Sequence, residues 1–154
     1  MQWGERMSSA KMTTAEATKL IEMAKRALVA EINFPSRGTS KSFDVVGDTK
    51  ADLFTVNIFR GRNPHTKCNF GARIKKNNVM LLELHISPTQ VHVNPNGEKI
   101  TGSHWHIYSE EYGRSQAFPA TDISEESFVE NTLSFLRKFN VVEPPDVTFQ
   151  LEII

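Results

Sequence analysis

From Ser42 to Ser109 apolar residues recur at every second position, in short runs bounded by Gly, Asn, Pro and Asp. This period constrains the fold more than any other feature of the chain. Such alternation puts one face of each run on a core and the other in water, as half-buried antiparallel strands require. Strands are expected near Ser42–Val46, Leu53–Phe59, Lys67–Lys75, Val79–Ile86 and His104–Ser109. Asn77-Asn78 falls between two of them as a tight hairpin turn.

At both ends the period becomes helical. Thr13 with Glu16 three residues on is a capping box, in which each side chain satisfies a backbone donor of the other residue. Ala17, Leu20, Ile21, Ala24 and Leu28 then form a stripe that carries this first helix to near Ala30, before the turn Phe34-Pro35-Ser36-Arg37-Gly38. Ser124, followed by Glu125 and Glu126, opens a second helix with Phe128, Thr132, Leu133, Leu136 and Phe139 as its buried stripe and Asn140 as its stop. After Pro144-Pro145, Val147, Phe149, Leu151 and Ile153 alternate as a half-buried strand, pairing within the chain or with a second copy.

These elements predict one α+β domain over residues 13–154, a mainly antiparallel sheet of five or more strands with an N-terminal and a C-terminal helix packed on one face. Residues 1–12, with Met7 and Met12 as alternative starts and no apolar stretch of a secretory signal, are expected to be a flexible lead, pinned if at all by Trp3. A length of 154 residues suits a single core. Eighteen Lys and Arg balance eighteen Asp and Glu, so any attraction to nucleic acid must come from a local patch. The single cysteine, Cys68, cannot form an internal disulfide, and no apolar run approaches the roughly 20 residues that span a bilayer. A cytoplasmic protein with no membrane partner is the expectation. No Walker loop, dinucleotide glycine fingerprint, nucleophile elbow or Cys-x-x-Cys pair occurs, which argues against the common ATPase, redox and zinc-ribbon classes.

The chemistry is concentrated in Gly102-Ser103-His104-Trp105-His106-Ile107-Tyr108. On a strand His104, His106 and Tyr108 share one face, and Trp105 and Ile107 take the core side. Met80, Leu82, Leu84 and Ile86 make another apolar face, leaving Glu83 and His85 opposite, where His85 can join the polar surface. Cys68, Phe70, Ala72 and Ile74 alternate with Lys67, Asn69, Arg73 and Lys75, and Arg60 and Arg62 adjoin them, which makes a local cationic patch. Cys68 lies in the apolar phase and reads as a buried, inert thiol.

Imidazoles beside Arg and Lys are what metal-independent phosphodiester cleavage requires: a base, an acid, and cations for the charged transition state. The same pattern admits a metal, because His at i and i+2 chelate one ion when His92, Glu110 or Glu111 supplies a third ligand. His104-x-His106 followed by Glu110 or Glu111 resembles the first metal motif of the cupin barrels, whose second motif is not found here. Exposed strand faces also carry His, Lys and Arg for solubility alone.

Arg60-Gly61-Arg62, Lys67-Cys68 with Arg73, His92 before Asn94-Pro95-x-Gly97, His104-x-His106-Ile107-Tyr108 and Glu111-Tyr112-Gly113 together resemble a family of small uncharacterised proteins of bacteria and their mobile elements. The resemblance spans Ile58 to Gly113 and the amphipathic ends, and it implies no established activity. Where that family tends to carry an acidic residue this chain has His85, and Arg114-Ser115-Gln116 replaces a usual aromatic. The resulting expectation is a site with His104, His106, Tyr108 and His92 as catalytic groups and Arg60, Arg62, Lys67 and Arg73 as phosphate ligands, on one concave surface, with no metal or cofactor. The corresponding function is a metal-independent ribonuclease or RNA-binding effector of the toxin or phage-defence kind, with RNA, a nucleoprotein or a cognate antitoxin as partner. The alternatives are a non-enzymatic interaction module or inhibitor from a mobile element that binds a protein partner, and a histidine-ligated metal protein.

Overall fold

The computed structural model describes residues 11–63, 67–123 and 127–149. The capping box forms as expected: Thr13 Oγ1 accepts from the Glu16 N–H at 3.0 Å and Glu16 Oε1 accepts from the Thr13 N–H at 2.9 Å, opening helix α1, Thr14–Glu22. The helix ends well short of Ala30. Lys25 is buried, and its ammonium donates to the carbonyls of Ile21, Met23 and Phe139 at 2.8–2.9 Å, while Asn140 Nδ2 takes the Glu22 carbonyl. Those side chains satisfy the orphan carbonyls of the helix end. The chain then enters strand β1, Lys25–Ala27, and leaves the remaining stripe residues Ala24 and Leu28 exposed.

Strands β2 (Glu31–Asn33), β3 (Ser40–Val46), β4 (Leu53–Arg60), β5 (Cys68–Ile74), β6 (Met80–Ile86), β7 (Val91–Val93), β8 (Lys99–Thr101), β9 (His104–Ile107), β10 (Ala117–Pro119), β11 (Val141–Glu143) and β12 (Asp146–Thr148) follow, with helix α2 (Phe128–Lys138) between β10 and β11. Among the described residues the main sheet has eight strands in the order β10-β9-β6-β5-β4-β3-β1-β11. All its neighbours are antiparallel except β1 and β11. The final expected strand is β12, parallel to β2 within the chain, and its continuation past residue 149 lies outside the described residues. The β7–β8 hairpin, β10 and the short strands β1, β2 and β11 carry too few alternating residues to read from sequence.

One core lies between the sheet and the two helices. Phe54, Val56, Ile58, Phe70, Ala72, Leu82, Leu84, Ile86 and Trp105 supply the sheet side. From α2, Phe135 stacks between Phe70 and Trp105, with centroids at 5.5 and 6.1 Å, and Phe139 meets Phe54 edge-on at 5.5 Å. Each such side chain stabilises the fold by about 1.5–3 kcal/mol through removal from water. Ser127 caps α2 by accepting from the Glu130 N–H at 3.2 Å, so the helix opens later than the expected Ser124, which lies outside the described residues. Asn140 stops it at φ 57°, as expected. Of the expected lead, residues 1–10, Trp3 among them, lie outside the described residues, while Met12 packs on the core.

One phase expectation fails within β6. Ala72 faces Leu82 but Arg73 faces Met80, so Leu81 is the extra residue of a bulge. Leu81 and Leu82 are both buried, and Met80 is turned onto the face of Gly71 and Glu83, away from the core it was expected to join.

Candidate metal centre

The open face of the sheet carries the histidines. In the β6–β9 pair His85 lies opposite His104 and Glu83 opposite His106, which makes a two-by-two block of side chains on one face. Trp105 points to the core, as the alternation requires, and leaves His104 and His106 on the other side. A third approach comes from β7. Asn94 is buried, with Nδ2 donating to the Ala117 carbonyl at 3.0 Å and Oδ1 accepting from the Ala117 N–H at 2.8 Å. That pair of bonds fastens the β7–β8 hairpin to β10 and holds His92, two residues earlier, over the block.

Four of the chain's five histidines therefore meet; the fifth, His65, lies outside the described residues. Ring centroids are 5.0 Å apart for His104 and His106, 5.2 and 4.8 Å from His85 to these two, and 5.4 and 4.8 Å from His92 to the same two. Oxygens around the cluster set the tautomers of three of its rings. His104 Nδ1 donates to the Gly102 carbonyl at 2.9 Å, His85 Nε2 to Glu83 Oε1 at 3.2 Å and His92 Nε2 to the Ser115 carbonyl at 2.9 Å. In the neutral form of each ring the opposite nitrogen carries the lone pair. His104 Nε2 and His106 Nδ1 are buried and meet no hydrogen-bond partner among the described residues.

One nitrogen from each of His85, His104 and His106 lies within 4.8 Å of the others. Nitrogens on a tetrahedral zinc with bonds of about 2.0–2.1 Å are about 3.3 Å apart, so a bound ion would draw the three rings closer together. Burial is the main cause that lowers the pKa of both His104 and His106, with the neighbouring imidazoles adding to it, and His106 falls to about 4. Both rings are neutral near pH 7, the state that binds metal and the state that has no acidic proton to give.

Glu83 anchors the block from below. Burial opposes its charge, but hydrogen bonds from His85 and Arg114 and the Arg114 charge outweigh burial and hold the carboxyl below its ordinary range. Arg114 reaches it twice, Nε to Oε2 at 2.7 Å and Nη2 to Oε1 at 2.5 Å.

The eight expected site residues divide. His92, His104 and His106 converge, and His85 joins them. Tyr108 does not: β9 ends at Ile107, the alternation stops, and Tyr108 packs on the core with its hydroxyl donating to the Met12 carbonyl at 2.7 Å. Arg60 continues the buried phase of Phe54, Val56 and Ile58, so its guanidinium lies across the sheet from the histidines, over Phe128 at 4.5 Å and Phe149 at 5.5 Å. Arg62 packs over Gly38, and Lys67 stands just before β5, its carbonyl taking the Gly61 N–H. Arg73 shares the open face but lies on the far side of Gly71 from His85.

The alternative third ligands Glu110 and Glu111 are exposed in the turn after β9, where the Glu110 N–H donates to Thr14 Oγ1 of α1. Cys68 is buried, and loss of hydration pushes its thiol up to about 12 against the opposing charge of Arg60. Sequence reading missed Glu83, Asn94, Arg114 and Ser115 as parts of the site. Only Glu83 left a signal there, a carboxylate two residues from His85 in the same strand phase.

The family of unknown function DUF6978 matches residues 12–141. The chain belongs to that family. The matched stretch contains α1, the whole of β1 to β10, α2 and all four clustered histidines, so the centre and the core that carries it lie within the family's domain. No curated protein and no solved structure matches the chain.

Proposed function

We propose that the protein is a histidine-ligated metal protein whose centre is of the catalytic type. His85, His104 and His106 hold one divalent ion from two adjacent strands, and His92 faces the remaining position. One observation supports this reading above the others: His104 Nε2 and His106 Nδ1 are buried with no hydrogen-bond partner among the described residues, while the outer N–H groups of His85, His92 and His104 are taken by a carboxylate or a carbonyl. That outer arrangement orients metal-binding histidines and raises their basicity. Imidazole ligands suit Zn²⁺ and its first-row neighbours, and a three-histidine site with an open fourth position lowers the pKa of a bound water to about 7. Hydrolysis is the reaction class this chemistry favours.

The test uses untagged protein purified without chelator. Elemental analysis is expected to give one transition-metal ion per chain, lost in His85→Ala and in His104→Ala. Absence of stoichiometric metal, with no change in melting temperature on adding Zn²⁺, Co²⁺ or Ni²⁺, would overturn the proposal. The same samples test the metal-independent ribonuclease reading: cleavage of total RNA that continues in EDTA and disappears in His106→Ala would favour proton exchange between imidazoles.

A further inference from the structure

Beside His85 the open face of the sheet forms a groove of about 290 Å³. Its floor is Gly71, in the centre of β5, and its walls include Phe59, Asn69, Arg73 and Arg114. Roomier hollows of about 520 and 430 Å³ flank α1, and no imidazole is among the residues that line them.

The groove offers three kinds of contact. Phe59 is an aromatic ring 39 % exposed near the end of β4, on the same face as the polar residues Thr55 and Asn57 of that strand. Two amides flank it. Asn57 Oδ1 accepts from Ser42 Oγ at 2.9 Å, which leaves its NH₂ group as a donor, and Asn69 Oδ1 is buried with no partner among the described residues. Arg73 gives its Nε–H to Asn78 Oδ1 at 3.1 Å, and its terminal N–H groups meet no acceptor among the described residues.

Register fixes the spacing. Phe59 pairs with Asn69, Asn69 with His85 and His85 with His104, so one row runs from the aromatic ring to the metal ligands. Phe59 and His85 are two strands apart, about 10 Å at the usual strand separation. A ring stacked on Phe59 that also uses amide donors and acceptors, and that bears an anion one nucleotide length away, has the chemistry of a nucleic-acid base with its backbone phosphate. Stacking on exposed aromatics of an open sheet, with hydrogen bonds to the base edge, is a general mode of single-strand recognition.

We infer that this groove seats single-stranded nucleic acid, one base on Phe59 between Asn57 and Asn69, with a backbone phosphate directed to the metal centre. The inference rests on the metal reading for the destination of the phosphate, and on the groove alone for the base. Gly71 keeps the floor open. A Cβ there would stand 3.2 Å from Met80 Sδ, the movable end of a side chain, so Gly71→Ala is expected to fold and to fill the base pocket.

The experiment is fluorescence anisotropy of a labelled mixed-sequence RNA 12-mer with the Zn²⁺-loaded full chain and with the chain in EDTA, metal content being measured on the same samples. Phe59→Ala and Gly71→Ala are each expected to weaken binding by roughly tenfold or more. Phe118→Ala, which removes an exposed ring of β10 away from the groove, is expected to leave it unchanged. EDTA is expected to weaken binding by the wild type. Undetectable binding by metal-loaded protein would overturn the inference while leaving the metal centre standing, as would binding indifferent to Phe59→Ala. Equal affinity with and without EDTA in protein shown to carry metal would overturn the phosphate assignment. Competition by a mononucleotide without binding of the 12-mer would replace the strand by a free nucleotide and overturn the inference too.

Discussion

The Glu83 carboxylate receives N–H groups from both His85 and Arg114, and so couples the cluster to a loop far away in sequence. Glu83→Gln keeps the shape but removes the charge, leaving His85 with a weaker acceptor. Metal affinity is expected to fall about 10–100-fold, as outer-shell changes generally do. Competition against a chromogenic chelator reads that number, and an unchanged affinity would show that Glu83 serves the fold alone. Cys68 gives a second prediction. With its thiol buried and pushed up to about 12, it is expected to resist a thiol reagent at pH 8 in the native state and to react at once in denaturant. Rapid native labelling would mean that β5 opens locally.

Among the elements, the β7–β8 hairpin decides whether the fourth histidine is present at the site. Among the described residues it pairs only with itself as a sheet, and the Asn94 side chain ties it to β10 through the Ala117 backbone. Asn94→Ala leaves a buried N–H and carbonyl without those partners and is expected to cost about 1–3 kcal/mol. The loss should appear as a lower urea midpoint, with retained sheet signal in circular dichroism. Helix α1 shows the limit of periodicity. Its start is set by residues three apart, and Thr13 with Glu16 could be read directly. Its end is set by Lys25 and by Asn140, which is brought in from the far end of α2. No local pattern announces a carbonyl that is capped from 118 residues away.

For the molecule as a whole, Lys25 links pH to stability. An unfolded lysine holds its proton to about pH 10.4, whereas burial between α1 and α2 pulls Lys25 down to about 7, with Asp48 the weaker opposing influence. Between those values the unfolded chain binds more protons, so the Lys25 contribution to stability is complete above about pH 10.4 and is lost as pH falls towards 7. Lys25→Met removes that slope. The difference in unfolding free energy between wild type and Lys25→Met is therefore expected to shift in favour of the wild type from pH 7 to pH 10, as measured by urea titration at each pH. A difference independent of pH would mean that Lys25 stays protonated in the fold throughout.

The sequence by itself determined which side chains share a strand face. Period-two alternation follows from backbone geometry within a few residues, so Trp105 goes to the core and His104 and His106 leave it whatever the partners are. The same logic placed Cys68 among the buried residues and His85 on the polar side of β6. It misled at Arg60, because a long cation laid over two aromatic rings satisfies the buried phase as well as an apolar residue does. It misled at Met80, because a single extra residue at Leu81 reverses the phase before it. Tertiary structure decided the site itself. The direct pairing of β6 with β9 passes over the whole β7–β8 hairpin, which sets His85 against His104 and lets His92 return from above. Convergence depends on which distant strands become neighbours, and that choice belongs to the closing of the whole core and to no segment taken alone.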